Sequence, residues 1–160
     1  TVFFAENNMK VEALDYSPTA IKIIDKKVKD NDFSNLVSTK HFDVRDKLPY
    51  KDNSIKGIFS HMLYCMALTN AEIKKLNNEI LRVLKPGGIN IYTVRNTKDG
   101  DYKKGIHRGE DMYENDGFII NFFSEKKVNS LLKGFKNLST TNFEEGNFPR
   151  KLFLIQNKKL

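Results

Sequence analysis

The side chains best placed to do chemistry stand where short apolar runs stop. Asp15 follows the run from Lys10 to Leu14, Asp43 follows Leu36 to Phe42, and Ser60-His61 ends the run that begins at Ile55. In an open parallel sheet, ligands bind beyond the carboxyl ends of the strands. A carboxylate in that position accepts hydrogen bonds from a ribose diol, and the Tyr16 ring beside Asp15 is suited to cover an adenine. Asp15 is equally suited to cap a turn or the helix opening at Ser17-Pro18, and at this level both readings stand. His61 and His107 carry imidazoles, the side-chain type most often used as a general base, and Arg95 ends a further apolar run.

The elements that must position these residues are legible in the spacing. Ser17-Pro18 is an N-cap followed by a proline at the first helical position, and Ile21, Ile24 and Val28 then mark one helical face up to about Lys29. Thr69-x-x-Glu72 is a capping box, and Ile73, Leu76, Ile80, Val83 and Leu84 behind it line a second helix that Pro86-Gly87-Gly88 is expected to end. Strands are expected at 10–14, 36–42, 55–60, 89–94, 138–143 and 151–156, and a short helix after Ser124. Val2 to Asn8 reads as the last turns of a helix. Strands alternating with helices predict an α/β fold with a mostly parallel, Rossmann-like sheet. The last two strands have no helix between them, so they are expected to pair as an antiparallel hairpin. Residues 96–117 are polar and lack periodicity, and are expected to form a mobile loop over a substrate site. One domain, 1–160, accounts for all of this.

Composition narrows the function classes. At 160 residues and 39% hydrophobic content the chain can bury a core, and it has no apolar run long enough to span a bilayer. Its one cysteine, Cys65, cannot close an internal disulfide, which predicts a reducing, cytoplasmic setting. His41, His61 and His107 are dispersed, and the acids of 96–117 match no complete calcium loop, so no metal is expected. The net charge of +7 invites a nucleic-acid reading, but the cations are overwhelmingly Lys, only five being Arg, and are spread along the chain. Nucleic acid is therefore not the expected partner.

Four segments in order resemble successive motifs of the class I S-adenosylmethionine-dependent methyltransferases. They are Val11-Glu12-Ala13-Leu14-Asp15-Tyr16-Ser17, Phe42-Asp43-Val44, the stretch from Leu48 to Ser60, and Glu79-Ile80-Leu81-Arg82-Val83-Leu84-Lys85-Pro86-Gly87-Gly88. The later part, with Phe122-Phe123-Ser124-Glu125 and Leu131-Leu132-Lys133-Gly134-Phe135, looks like small-molecule members of the tellurite- or thiopurine-methyltransferase type.

The resemblance implies S-adenosylmethionine as cofactor, with S-adenosylhomocysteine as product, and methyl transfer to a small nucleophile. It implies that Asp15 holds the ribose hydroxyls, Tyr16 lies beside the adenine, Asp43 meets the adenine amino group and the Val44 amide a ring nitrogen. Ser60 and His61 match the strand end facing the methionine moiety. Tyr64, Arg95 and His107 are the expected substrate contacts. The family's first strand and glycine-rich loop have no counterpart in this sequence. On that ground the chain is expected to form a homodimer or swapped assembly, and a module that has lost cofactor binding stays open as an alternative. An RNA-modifying methyltransferase is the other.

Overall fold

The structure is a computed structural model that describes residues 1–147 and 149–160. The chain divides into two compact units, Thr1–Lys47 and Leu48–Leu160.

The first unit is a single βαβ turn with a short helix ahead of it. Helix α1 (Val2–Glu6) precedes strand β1 (Val11–Asp15), helix α2 (Pro18–Asp30) and strand β2 (Val37–His41). Ser17 caps α2 by accepting from the Ala20 N–H at 3.2 Å, and Pro18 occupies the first turn, where no intrahelical donor is needed. β1 and β2 run parallel in the register Val11↔Val37 through Asp15↔His41. Val28 of α2 meets Ala5 and Val37 in a small core, with Val11, Ile24, Phe33 and Leu36 packed around it. The helical face expected from Ile21, Ile24 and Val28 is the inward one, and Ile23 stays exposed.

The second unit is built on a four-stranded sheet in the order β3-β4-β9-β8: β3 (Ile55–His61), β4 (Leu84–Arg95), β8 (Phe135–Glu145) and β9 (Arg150–Lys159). β3 and β4 are parallel, while β9 is antiparallel to both of its neighbours, so the expected C-terminal hairpin is present. Helix α3 (Asn70–Val83) buries Ile73, Leu76, Asn77, Ile80 and Val83. Its capping box forms in full: Thr69 accepts from the Glu72 N–H, and the Glu72 carboxylate accepts from the Thr69 N–H at 2.8 Å. At its other end the Lys159 ammonium donates to the carbonyls of Leu81 and Leu84, at 2.7 and 2.8 Å, and so fastens β9 to the helix terminus. Helix α4 (Glu125–Asn129) is capped by Ser124 and inserts Val128 into the core.

Two sequence expectations are corrected. Pro86-Gly87-Gly88 does not stop α3, which already ends at Val83; the three residues lie inside β4. The pairing of β3 with β4 jumps there from Ile55↔Leu84 to Gly57↔Ile89, a bulge that Gly87 permits with φ of +75°. A Cβ on Gly88 would stand 2.8 Å from the Lys85 carbonyl oxygen, so that residue is fixed by close backbone approach. Residues 96–117 are not one loop. They contain β5 (Ile106–His107) and β6 (Met112–Asn115), which join β7 (Phe118–Asn121) in a three-stranded antiparallel sheet. The strands are two to four residues long, too short for the alternation that reveals a strand in sequence.

Among the described residues β1 pairs only with β2, and β3 only with β4, so each has one open edge. Phe59 of β3 is 49% exposed.

Losing the Thr69 side chain removes the hydroxyl that accepts from the Glu72 N–H, and leaves only the half in which the Thr69 backbone N–H donates to the Glu72 carboxylate. Thr69→Ala is expected to cost about 1 kcal/mol of stability, read as a lower denaturation midpoint with unchanged slope.

Candidate functional site

In the first unit the polar residues gather where the parallel strands end. Asp15 closes β1, half-buried, and its Oδ1 accepts from the Ser17 N–H at 2.8 Å. The capping reading of Asp15 is therefore real, yet this bond engages only one of its oxygens. Tyr16 follows with 65% of its surface exposed. Its carbonyl accepts from His41 Nε2 at 2.7 Å, which fixes the tautomer of His41 and pins the turn after β1 to the end of β2. The two rings lie 5.9 Å apart.

Asp43, two residues beyond β2, is engaged by Arg45. The guanidinium Nε lies 3.0 Å from both carboxylate oxygens, Nη2 donates to Oδ2 at 2.5 Å, and the Arg45 N–H donates to Oδ1 at 3.0 Å. These bonds hold the Asp43 carboxyl down at about 2, from an ordinary value of 3.8. Val44 sits inside the turn that the Asp46 N–H closes onto the Asp43 carbonyl at 3.0 Å. The Arg45 guanidinium carbon lies 5.9 Å from the centre of the Tyr16 ring. Sequence reasoning missed His41 and Arg45. Only the register of β1 with β2 brings them to Asp15 and Tyr16.

In the second unit the end of β3 carries a different constellation. Ser60 is buried, and its hydroxyl has no hydrogen-bond partner among the described residues. His61 Nδ1 lies 2.9 Å from Thr93 Oγ1, and Nε2 lies 3.4 Å from a carboxylate oxygen of Glu145. Met62, immediately after, takes a left-handed conformation with φ of 52°, held because its N–H donates to both the carbonyl and the hydroxyl of Thr93, at 3.1 and 3.0 Å. A non-glycine residue in that region stores strain, which recurs at functional sites. Thr93 faces His61 because the parallel register of β3 and β4 pairs them directly.

The three expected substrate contacts fare differently. Tyr64 is wholly inside the second unit, stacked on Tyr92 at 4.7 Å and edge-on to Phe123. Burial pushes its hydroxyl well above the ordinary range. Arg95 is 7% exposed, and its guanidinium is committed to Asp99 and Asp101 at 2.5 and 2.6 Å. Both side chains turn inward, because the neighbouring strands offer Tyr64 an aromatic stack and Arg95 a carboxylate pair. His107 is exposed on β5, with Nε2 donating to the Glu110 carbonyl at 2.9 Å. Cys65 is buried, and its thiol is pushed up to about 12 by that burial. Among the described residues no group of His, Cys, Asp and Glu is placed to hold a metal ion. None of the described helices is long and apolar enough to cross a membrane.

Asp99 holds the start of the segment after β4. Burial pushes its carboxyl up, but the Arg95 fork and the N–H groups of Asp101 and Lys151 outweigh it and leave the group below its ordinary value. A carboxyl depressed in the folded state contributes stability above its unfolded value near 3.8, lost as pH falls through the folded one. Asp99→Asn is expected to cost about 2–4 kcal/mol at neutral pH, because Arg95 then keeps a buried charge with half its partners. The deficit should shrink as pH drops below about 4, and thermal melts across that range measure it.

The chain belongs to the methyltransferase domain family, whose pattern matches residues 1–92. S-adenosylmethionine is the methyl donor of this class. No curated protein matches the chain. Among solved structures it is similar to an S-adenosylmethionine-dependent methyltransferase of Methanosarcina mazei, with 19% identity, 99% of this chain and 86% of that one covered, and a TM-score of 0.81. It is also similar to the 1,6-didemethyltoxoflavin-N1-methyltransferase of Burkholderia thailandensis, solved with bound 1,6-didemethyltoxoflavin and S-adenosylhomocysteine, at 14% identity over 99% of this chain and 64% of that one, TM-score 0.74. The [4+2]-cyclase SpnF matches at 17% identity over 94% of this chain and 66% of that one, TM-score 0.68. At these identities the likeness is one of fold, the Rossmann-like α/β architecture expected from the alternation of strands and helices.

Proposed function

We propose that the chain binds S-adenosylmethionine and directs its methyl group to a small-molecule nucleophile. One observation carries the cofactor half of this reading: Asp15, Tyr16 and Asp43 occur together at the carboxyl ends of two adjacent parallel strands. The donor set fits an adenosine. Asp15 keeps an oxygen for the ribose hydroxyls, the exposed Tyr16 ring offers an apolar face to the base, Asp43 is an acceptor for its amino group, and the Val44 amide faces a ring nitrogen. The second unit holds by itself a buried Ser60 hydroxyl that has no hydrogen-bond partner among the described residues, which costs about 1–3 kcal/mol unless a ligand group reaches it.

When bound, the cofactor supplies a methyl group already activated on a sulfonium. The protein then has to align donor and acceptor in line and keep water out. A base is needed only where the acceptor must shed a proton early, and His61 and His107 are the side chains available for it. The predominance of Lys over Arg supports a small acceptor over RNA. The reading includes a cytoplasmic setting and assembly through the open edges of β1 and β3, which present unpaired backbone groups; solution mass at several concentrations tests the assembly.

A second reading is a ligand-binding module on this fold that performs no methyl transfer. The likeness to a [4+2]-cyclase favours keeping it, since this fold carries chemistry other than methylation. Titration with S-adenosylhomocysteine, followed by methyl-transfer assays on small amines, phenols, thiols and RNA, separates the readings.

Asp15→Ala is expected to weaken S-adenosylhomocysteine binding about 10- to 100-fold, the loss of a charge-assisted hydrogen-bond pair. An unchanged dissociation constant in a folded variant removes Asp15 from the ribose site.

A further inference from the structure

We propose that Arg45 competes with the ligand for Asp43: its guanidinium fork occupies the carboxylate in the free protein, and an adenine amino group reaches Asp43 only by displacing that fork. Arg45 thereby sets how strongly the site distinguishes a base that carries an amino group. The proposal rests on the adenosine reading above and adds to it a residue that neither the strand-end motif nor the family resemblance singles out.

The argument is an accounting of acceptor positions. A carboxylate offers about four, two on each oxygen. In Asp43 one residue takes up most of them: Oδ1 accepts from the Arg45 N–H, Oδ2 from Nη2, and the single Nε–H is shared between the two oxygens. An incoming N–H donor that is to make a well-aligned bond has to push the shared Nε–H or the Nη2–H aside. The backbone donor is fixed by the turn that joins Asp43 to Asp46, so the guanidinium is the group that yields. It is able to, because its side chain is half-exposed and water or a ligand can solvate it.

The depressed titration of Asp43 agrees with a fork that is well formed in the free protein. The displaced guanidinium also has a place to rest. It already lies 5.9 Å from the Tyr16 ring centre, within reach of a cation–π contact, and a planar cation stacks on aromatic and heteroaromatic faces alike.

Competition and stacking have different signatures. Stacking acts equally on any purine, whereas competition for Asp43 acts only on a ligand whose amino group seeks that carboxylate. The test is calorimetric titration of the whole chain with two probes: S-adenosylhomocysteine, and its analogue with hydrogen in place of the 6-amino group. In the parent protein the two should bind within about threefold of each other, because the amino group's bond is offset by the lost fork. In Arg45→Ala the ratio should widen to about tenfold or more in favour of the amino compound. Arg45→Lys, which keeps the charge but not the fork, should widen it as well. In the double variant Arg45→Ala with Asp43→Leu the ratio should fall back towards one.

Equal ratios in the parent, Arg45→Ala and Arg45→Lys proteins, all binding S-adenosylhomocysteine, overturn the competition and leave the adenosine reading standing. Failure of the folded parent protein to bind either probe overturns the adenosine reading and this proposal with it.

Discussion

Parallel pairing is the constraint on which the chemistry of this chain depends. Two parallel strands bring both of their carboxyl ends to the same side, so residues distant in sequence meet there. The register Asp15↔His41 seats the Tyr16 carbonyl on His41 and leaves Asp43 and Arg45 just beyond. The register His61↔Thr93 does the same in the second unit, where the Thr93 hydroxyl touches the imidazole and fixes the strained Met62 turn. Neither cluster is built by a motif. Each is built by a sheet whose backbone bonds leave the side chains one arrangement.

The second unit has its own hub in the Arg95–Asp99 pair. Arg95 ends β4, Asp99 lies four residues on, and the same carboxylate accepts from the Lys151 N–H at the start of β9. One ion pair thus ties together two neighbouring strands and the turn that leads into the three-stranded sheet. Arg82 plays a comparable part at the opposite end of the sheet, bridging Glu79 and Asp52 and donating to the carbonyls of Leu48 and Tyr50. Of the five arginines, these two are therefore structural, which further thins the supply for reading nucleic acid.

The methyltransferase domain match and the Arg45–Asp43 fork fall on the same stretch of chain. Asp15 and Asp43 place acceptors at the strand ends, and Arg45 is bonded to the second of them. A carboxylate left bare at a strand end would be solvated by water. One held by a fork is already bonded, and on the reading proposed above a ligand's amino group has to displace that fork.

The sequence by itself determined the longer helices and strands and the strand ends at which its polar residues stand. The capping box at Thr69, the Ser17-Pro18 helix start and the alternating runs are local signals, set by backbone bonds within a few residues, and they hold in the structure. The strand-end positions of Asp15, Asp43 and Ser60-His61 follow from where apolar runs stop. Only the tertiary structure decided what those residues touch. Tyr64 and Arg95 look like surface contacts in sequence, and were turned inward by Tyr92 and Asp99, whose proximity no local pattern records. Arg45, His41, Thr93 and Glu145 gained their importance from register and from the hairpin of β8 and β9, which are long-range pairings. Glycines 87 and 88 look like a helix stop because helices do end at such residues. The bulge they form instead depends on β3 arriving alongside, which a chain read residue by residue does not contain.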